Sequence, residues 1–266
     1  MLDQTRMSGY SQRYEYRIAP PGGRITWAVQ RILLFTTAVF VVQLLVHIFE
    51  PLAVRGSMPY DAPGLRLLHW FAFDSSRFPW NGLVWQPLTY MFLHGGLLHL
   101  FGNMLWLYVF GPEVERVLGT RQFIRFYFIT GILAVMATLI TAPLLGGGPV
   151  IGASGATMGV LIAFAVVNPD RELMLFPIPI RLTARALVLI VIALNIMSAL
   201  GPGGTSVATH FGGLAVGYAY MKAIPWWRSV RRSQGKGRKS SKDPMDVVGE
   251  AVDNIFNYEK EKRRRK

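Results

Sequence analysis

Long apolar runs, separated by shorter polar or glycine-rich segments, dominate the chain between Trp27 and Ile224. A bilayer core ~30 Å thick is crossed by about 20 helical residues at a rise of ~1.5 Å each, so runs of this length predict membrane-crossing helices. Six are predicted. The first runs from Trp27 to Phe49, interrupted only by Gln30, Arg31 and Gln43, and the second from about Pro87 or Met91 to Phe110. The third covers Phe123 to Ala142, the fourth Ser154 to Asn168, the fifth Leu182 to Leu200 and the sixth Val207 to Ile224. At roughly 23 Å the fourth is too short to cross the core, which puts its serine end below the membrane surface. The uncharged loop before it, from Pro143 to Gly152, can follow it down if protein or water satisfies its backbone. The connection from Glu50 to Gln86 is rich in proline and in aromatics such as Tyr60, Trp70, Trp80 and Trp85. It is therefore expected to lie partly embedded at the interface, with a helix near Gly64 to Phe73.

Composition agrees: 52% of the 266 residues are hydrophobic and 16% charged, the profile of an all-α, multi-pass membrane protein. With no cysteine, thiolate and disulfide chemistry are excluded. Of the net charge of +13, the tail from Pro225 to Lys266 supplies +7, from 13 Lys or Arg against 6 Asp or Glu. That is local basicity beside a membrane, where it can touch anionic lipid, and does not mark a nucleic-acid-binding domain. Three regions follow: a basic leader (1–26), a six-span core (27–224) and a basic tail (225–266), whose segment after Pro244 has helical amphipathic spacing.

Arginines in the leader, at 116 and 121, at 171 and 181, and in the tail put both termini on the cytoplasmic side; the 3–4 and 5–6 connections carry none. Arg55, Arg66 and Arg77 in the first loop argue the other way. In this topology Ser154, His210, His94, His99 and Asn103 all fall toward the opposite face. His99 and Asn103, four apart, share one face of the second helix. Taken singly, each has a plain packing explanation: Gly152, Ser154, Gly155 and Gly159 suit close helix contacts, and Gly213 with Gly217 forms a GxxxG face. Histidine within a span is nevertheless rare and points to function. A zinc site on His94, His99 and His210 is disfavoured, because there is no HExxH and no carboxylate beside them. No cofactor is expected.

The motifs HGGLLHLFGN (94–103), GASG (152–155) and HFGGLAVG (210–217), in that order on the second, fourth and sixth spans, resemble the rhomboid family of intramembrane serine proteases. The resemblance covers about residues 27–224 and implies a six-transmembrane-helix rhomboid-like bundle with a short central fourth helix. It implies Ser154 as nucleophile, His210 as general base and then acid, and His99 with Asn103 in the oxyanion hole. A neutral imidazole suits the base role, and the Ser154 N–H at a helix N-terminus adds a donor. No Asp or Glu is placed to orient His210, since Glu113, Glu115 and Glu172 fall on the cytoplasmic side, so a Ser-His dyad is expected.

Supporting positions are His94, Gly152, Gly155, Met158, Gly213 and Gly217. Glu115 and Arg116 match the family's acidic signature after the second span, with a structural role. Two departures stand out: Trp85, Gln86 and Pro87 replace a Trp-Arg common in relatives, and Met158 replaces an aromatic that packs on the catalytic histidine. The implied substrates are single-span membrane proteins in the lipid bilayer, cut within or beside a helix that must first unwind. A catalytically silent relative that binds client helices is the alternative. A transporter would show internally repeated broken helices, and none is visible. The first residues lack the apolar core and cleavage site of a removable signal peptide, and the absence of a transit-type leader together with the compact six-span core favours a prokaryotic plasma (inner) membrane.

Overall fold

With no water at hand, an apolar segment satisfies its backbone groups within itself, and these runs fold as helices. A computed structural model describes residues 25–49, 65–80, 82–145, 147–175, 180–199 and 204–234. In chain order these form α1 (Trp27–Ile48), α2 (Leu65–Phe71), β1 (Phe73–Asp74) and α3 (Gln86–Thr89), the last continued by a 3-10 turn, Tyr90–Phe92. There follow α4 (Leu97–Leu118), α5 (Thr120–Leu145), β2 (Pro149–Val150), α6 (Ser154–Val167), β3 (Glu172–Leu175), β4 (Ile180–Thr183), α7 (Ala184–Ala199) and α8 (Gly204–Gln234). The leader up to residue 24 and the expected amphipathic tail helix lie outside the described residues.

The short helix is the hub. From Gly155 to Ala165 every residue of α6 except Ile162 is buried, and the helix packs against α4, α5, α7 and α8. Its 14 residues rise only ~21 Å. The outer helices instead turn large apolar side chains outward, among them Leu34 and Phe35 on α1, Leu98 and Phe101 on α4, Ile140 on α5 and Met197 on α7. So much exposed apolar surface suits lipid, not water. By length and composition, Trp27–Ile48 and Thr120–Leu144 are each long and apolar enough to cross a membrane, while α6 and α7 are shorter apolar helices.

One buried carboxylate ties the bundle together. The first turn of α1 has no acidic residue, and its N-cap Thr26 makes no side-chain cap. Glu115, near the end of α4, does that work across the helix interface, accepting from the N–H groups of Ala28 (3.1 Å) and Val29 (3.0 Å). It also accepts from the Thr120 hydroxyl at 2.8 Å, which fixes the turn into α5. A carboxylate at a helix N-terminus satisfies orphan donors and meets the positive end of the helix dipole. Nearby, Arg171 and Asn168 close on Glu113 at 2.5 and 3.0 Å, joining the C-terminal ends of α4 and α6.

Three features differ from the expectation. The second apolar run is split: α4 begins only at Leu97, because Leu93 is extended and the backbone of His94 is bonded sideways by Gln43. The link between α6 and α7 is an antiparallel hairpin pairing Glu172 with Thr183 and Leu173 with Leu182. Finally, α8 continues past Ile224 and through Pro225 to Gln234, since the end of an apolar run does not itself end a helix.

Candidate active site

The GASG segment is placed by its backbone before its side chains matter. β2 pairs with β1, setting Val150 opposite Phe73 and Pro149 opposite Asp74, and Gly152 N–H donates to the Tyr90 carbonyl at 2.9 Å. The first loop thus holds the approach to Ser154 from one side. Gly152 then turns with φ +110°, a conformation that L side chains rarely adopt. It lies directly on the α4 pair: a Cβ at Gly152 would stand 2.7 Å from Nε2 and Cε1 of His99 and 3.6 Å from Asn103 Nδ2. Ser154 opens α6 one residue beyond this turn's Ala153, half-buried.

Hydrogen bonds set what each group presents. Gly95 N–H donates to His99 Nδ1 at 3.3 Å, so a neutral His99 carries its hydrogen on Nε2, the atom facing Gly152. Asn103 is buried; its Nδ2 donates to the His99 carbonyl at 3.0 Å, and its Oδ1 accepts from Thr157 of α6 at 3.4 Å. His94 is fully buried beneath them, its ring edge-on to His99 with centroids 5.1 Å apart. Its backbone is clamped by Gln43, which donates to the His94 carbonyl at 2.7 Å and accepts from its N–H at 3.1 Å.

His210 reaches the same region on α8. The contact is backbone on backbone: a Cβ at Gly213 would collide with the Gly155 carbonyl oxygen, and one at Gly217 would lie 2.7 Å from Gly159 Cα. A Cβ at Gly155 itself would meet Ala134 of α5, Thr209 of α8 and, at 3.1 Å, the Tyr90 hydroxyl. Met158 is buried one turn along α6 from Ser154. Among the described residues no hydrogen bond joins Ser154 to His210. The imidazole Nδ1 instead lies 2.6 Å from Asn195 Oδ1 on α7.

The structure therefore brings Gly152, Ser154, His99, Asn103 and His94 to one end of the bundle, with His210 beside them across Gly155 and Gly213. The three glutamates considered from the sequence lie elsewhere: Glu113 and Glu115 are in the contacts described above, and Glu172 is in the hairpin, while Asp74, on β1 beside the serine loop, pairs with Arg77. Two polar residues have partners the sequence reading did not foresee: Gln43, noted only as an interruption of the first span, and Asn195. Each is a lone polar letter in an apolar run, where burial demands a partner. The Trp85-Gln86 departure also has a place. Trp85 Nε1 donates to the Trp70 carbonyl at 3.0 Å and Gln86, almost fully buried, reaches the His69 carbonyl at 3.5 Å, so both tie α3 to α2.

With the geometry in place, comparison with known proteins identifies its relatives. Residues 81–226 match the Rhomboid domain. The mitochondrial Rhomboid protein 1 of Saccharomyces cerevisiae is 35% identical over 155 residues, covering 55% of this chain and 44% of that protein. Rhomboid protease GluP of Bacillus subtilis is 31% identical over 144 residues, 54% of this chain and 27% of that protein. The mitochondrial RHOMBOID-like protein 6 of Arabidopsis thaliana is 30% identical over 209 residues, 75% and 64% of the two chains. The chain thus spans less than two-thirds of the length of each of these relatives. The yeast and Arabidopsis names overturn the expectation of a prokaryotic plasma membrane, which rested on the absence of a transit-type pattern.

Proposed function

Because the chain belongs to the rhomboid family, we propose that it is an intramembrane serine endopeptidase that cuts membrane-protein substrates within or next to their transmembrane segments. The observation that supports this reading is the close approach of the Gly152 turn, two residues before Ser154 at the start of a short buried helix, to His99 and Asn103, with the His210 helix packed backbone to backbone on the same helix at Gly155 and Gly213. In this reading α1, α4, α5, α6, α7 and α8 form the six spans, and α6, too short to cover the full core by itself, holds Ser154 below the membrane surface. The names of the yeast and Arabidopsis relatives support a mitochondrial membrane.

Ser154 Oγ attacks the scissile carbonyl while His210 Nε2 takes its proton. The oxyanion that forms is met by the His99 Nε2–H, by Asn103 Nδ2 and by the Ser154 N–H at the helix start. Collapse expels the amine, which takes the proton from His210, and a water activated by the same nitrogen releases the acyl group. The Ser154–His210 hydrogen bond is expected to close when substrate enters, since such bonds are often loose in free enzymes.

The test is cleavage of a single-span reporter in liposomes, with fluorophosphonate labelling alongside. Wild type should cleave and label, Ser154→Ala should do neither, and His210→Ala should lose on the order of 10² to 10⁴ in kcat. Unchanged cleavage by Ser154→Ala would sink the mechanism. A folded wild type that neither cleaves nor labels would favour a protein that only binds client helices.

A further inference from the structure

Asn195 lies on α7, a helix to which the mechanism above assigns no residue. Its neighbours Leu194, Ile196 and Met197 are exposed and apolar, so a polar amide at this position calls for partners. It has them at both ends. Nδ2 donates to the Val191 carbonyl, one turn back, at 2.8 Å. A carbonyl only accepts, and this contact settles which end of the amide is the NH2. Oδ1 therefore faces His210 Nδ1 at 2.6 Å. Oδ1 also offers only lone pairs, so the hydrogen of this bond must sit on Nδ1. In a neutral imidazole one nitrogen donates and the other accepts, which leaves Nε2 with its lone pair free.

From this geometry we propose that Asn195 is the positioning residue for His210, holding the imidazole in its Nδ1–H tautomer and fixing the ring's rotation so that Nε2 is the base. The inference rests on the protease reading, in which Nε2 serves Ser154. It replaces the expectation of an unsupported dyad. The sequence shows no carboxylate that could orient His210, and a neutral amide from another helix fills that place without burying a second charge.

Solid-state NMR of the 15N-histidine-labelled full chain in liposomes reads the tautomer directly, with His210 assigned as the signal lost in His210→Ala. Wild type should show Nδ1 protonated and Nε2 bare. Asn195→Leu, similar in size but without an acceptor, should move His210 to the Nε2–H form or a mixture and lower kcat by about tenfold or more, part of the ~10²–10⁴ that a base supplies, with KM unchanged. Asn195→Ala carries the same expectation with less bulk, and the signals of the other histidines report whether each variant is folded. Asn195→Asp keeps an acceptor and should restore both the tautomer and most of kcat.

A wild-type tautomer and kcat in Asn195→Leu or Asn195→Ala, while Ser154→Ala is inactive, overturns the positioning role and leaves the protease reading standing. A change in KM alone also overturns it. If wild type does not cleave, yet loss of Asn195 still switches the His210 tautomer, the protease reading fails and the hold of Asn195 on His210 survives.

Discussion

At the scale of single residues, the site depends on close contacts that leave no room for a methyl group. Gly152 combines φ +110° with a backbone pressed on the His99 ring, so Gly152→Ala strains the turn and pushes His99 from its place. If His99 is an oxyanion donor, its displacement should cost on the order of 10² to 10³ in kcat, the usual loss for one such donor. Reporter cleavage checks this, and a Gly152→Ala protein that cleaves like wild type would remove His99 from the oxyanion hole. Ser154, His210, His99 and Asn103 stood out in the sequence because they sit in the motifs that resemble the rhomboid family, and the arginine pattern put all four toward one face. Gln43 and Asn195 did not. Their partners, the His94 backbone and the His210 ring, come from other helices, and no spacing along the chain encodes that meeting.

At the scale of elements, hydrophobic run length located the long helices, and it erred where side chains or backbone turns override the run. Gly95 and Gly96, with the sideways bonding of His94, break the second run before α4. In the β3–β4 hairpin, β3 (Glu-Leu-Met-Leu) does not alternate and β4 (Ile-Arg-Leu-Thr) alternates over only four residues, too few for periodicity to reveal it. The capping of α1 by Glu115 was equally hidden, although a structural role for that residue was expected. Glu115→Ala leaves two buried N–H groups at the start of α1 and the Thr120 hydroxyl without their acceptor. A hydrogen bond to a charged group contributes ~1.5–3 kcal/mol, so the loss should be about 3 kcal/mol or more and should appear as a lower unfolding midpoint in detergent. Glu115→Gln, which keeps one acceptor oxygen, should lose less. Equal midpoints for wild type and Glu115→Ala would show that the cap adds nothing to stability.

At the scale of the whole molecule, three ion pairs gather at the end of α6 opposite Ser154. The pairs Glu113–Arg171, Glu172–Arg181 and Asp170–Arg185 gather around the hairpin and the C-terminal end of α6, away from Ser154 at its N-terminal end. Arg77, which argued against the inferred orientation, is paired with Asp74 at 3.4 Å on β1, beside the serine loop. The pairing does not take Arg77 out of a rule that counts Lys and Arg and gives acidic partners little weight, and Arg171 and Arg181 are paired as well, so Arg77 still counts against that orientation. If all six helices cross, Arg77 lies on one side of the membrane and both Arg121 and Glu172 on the other. The chain has no cysteine, so Arg77→Cys, Arg121→Cys and Glu172→Cys each introduce a single labelling site without background. In sealed vesicles holding the protein in one orientation, a membrane-impermeant maleimide should label Arg77→Cys from one side only and the other two only after the vesicles are opened, or the reverse. Labelling of Arg77→Cys and Glu172→Cys from the same side would mean that an even number of crossings separates them. The six-crossing reading would then fail, and with it the argument that the short α6 holds Ser154 below the membrane surface.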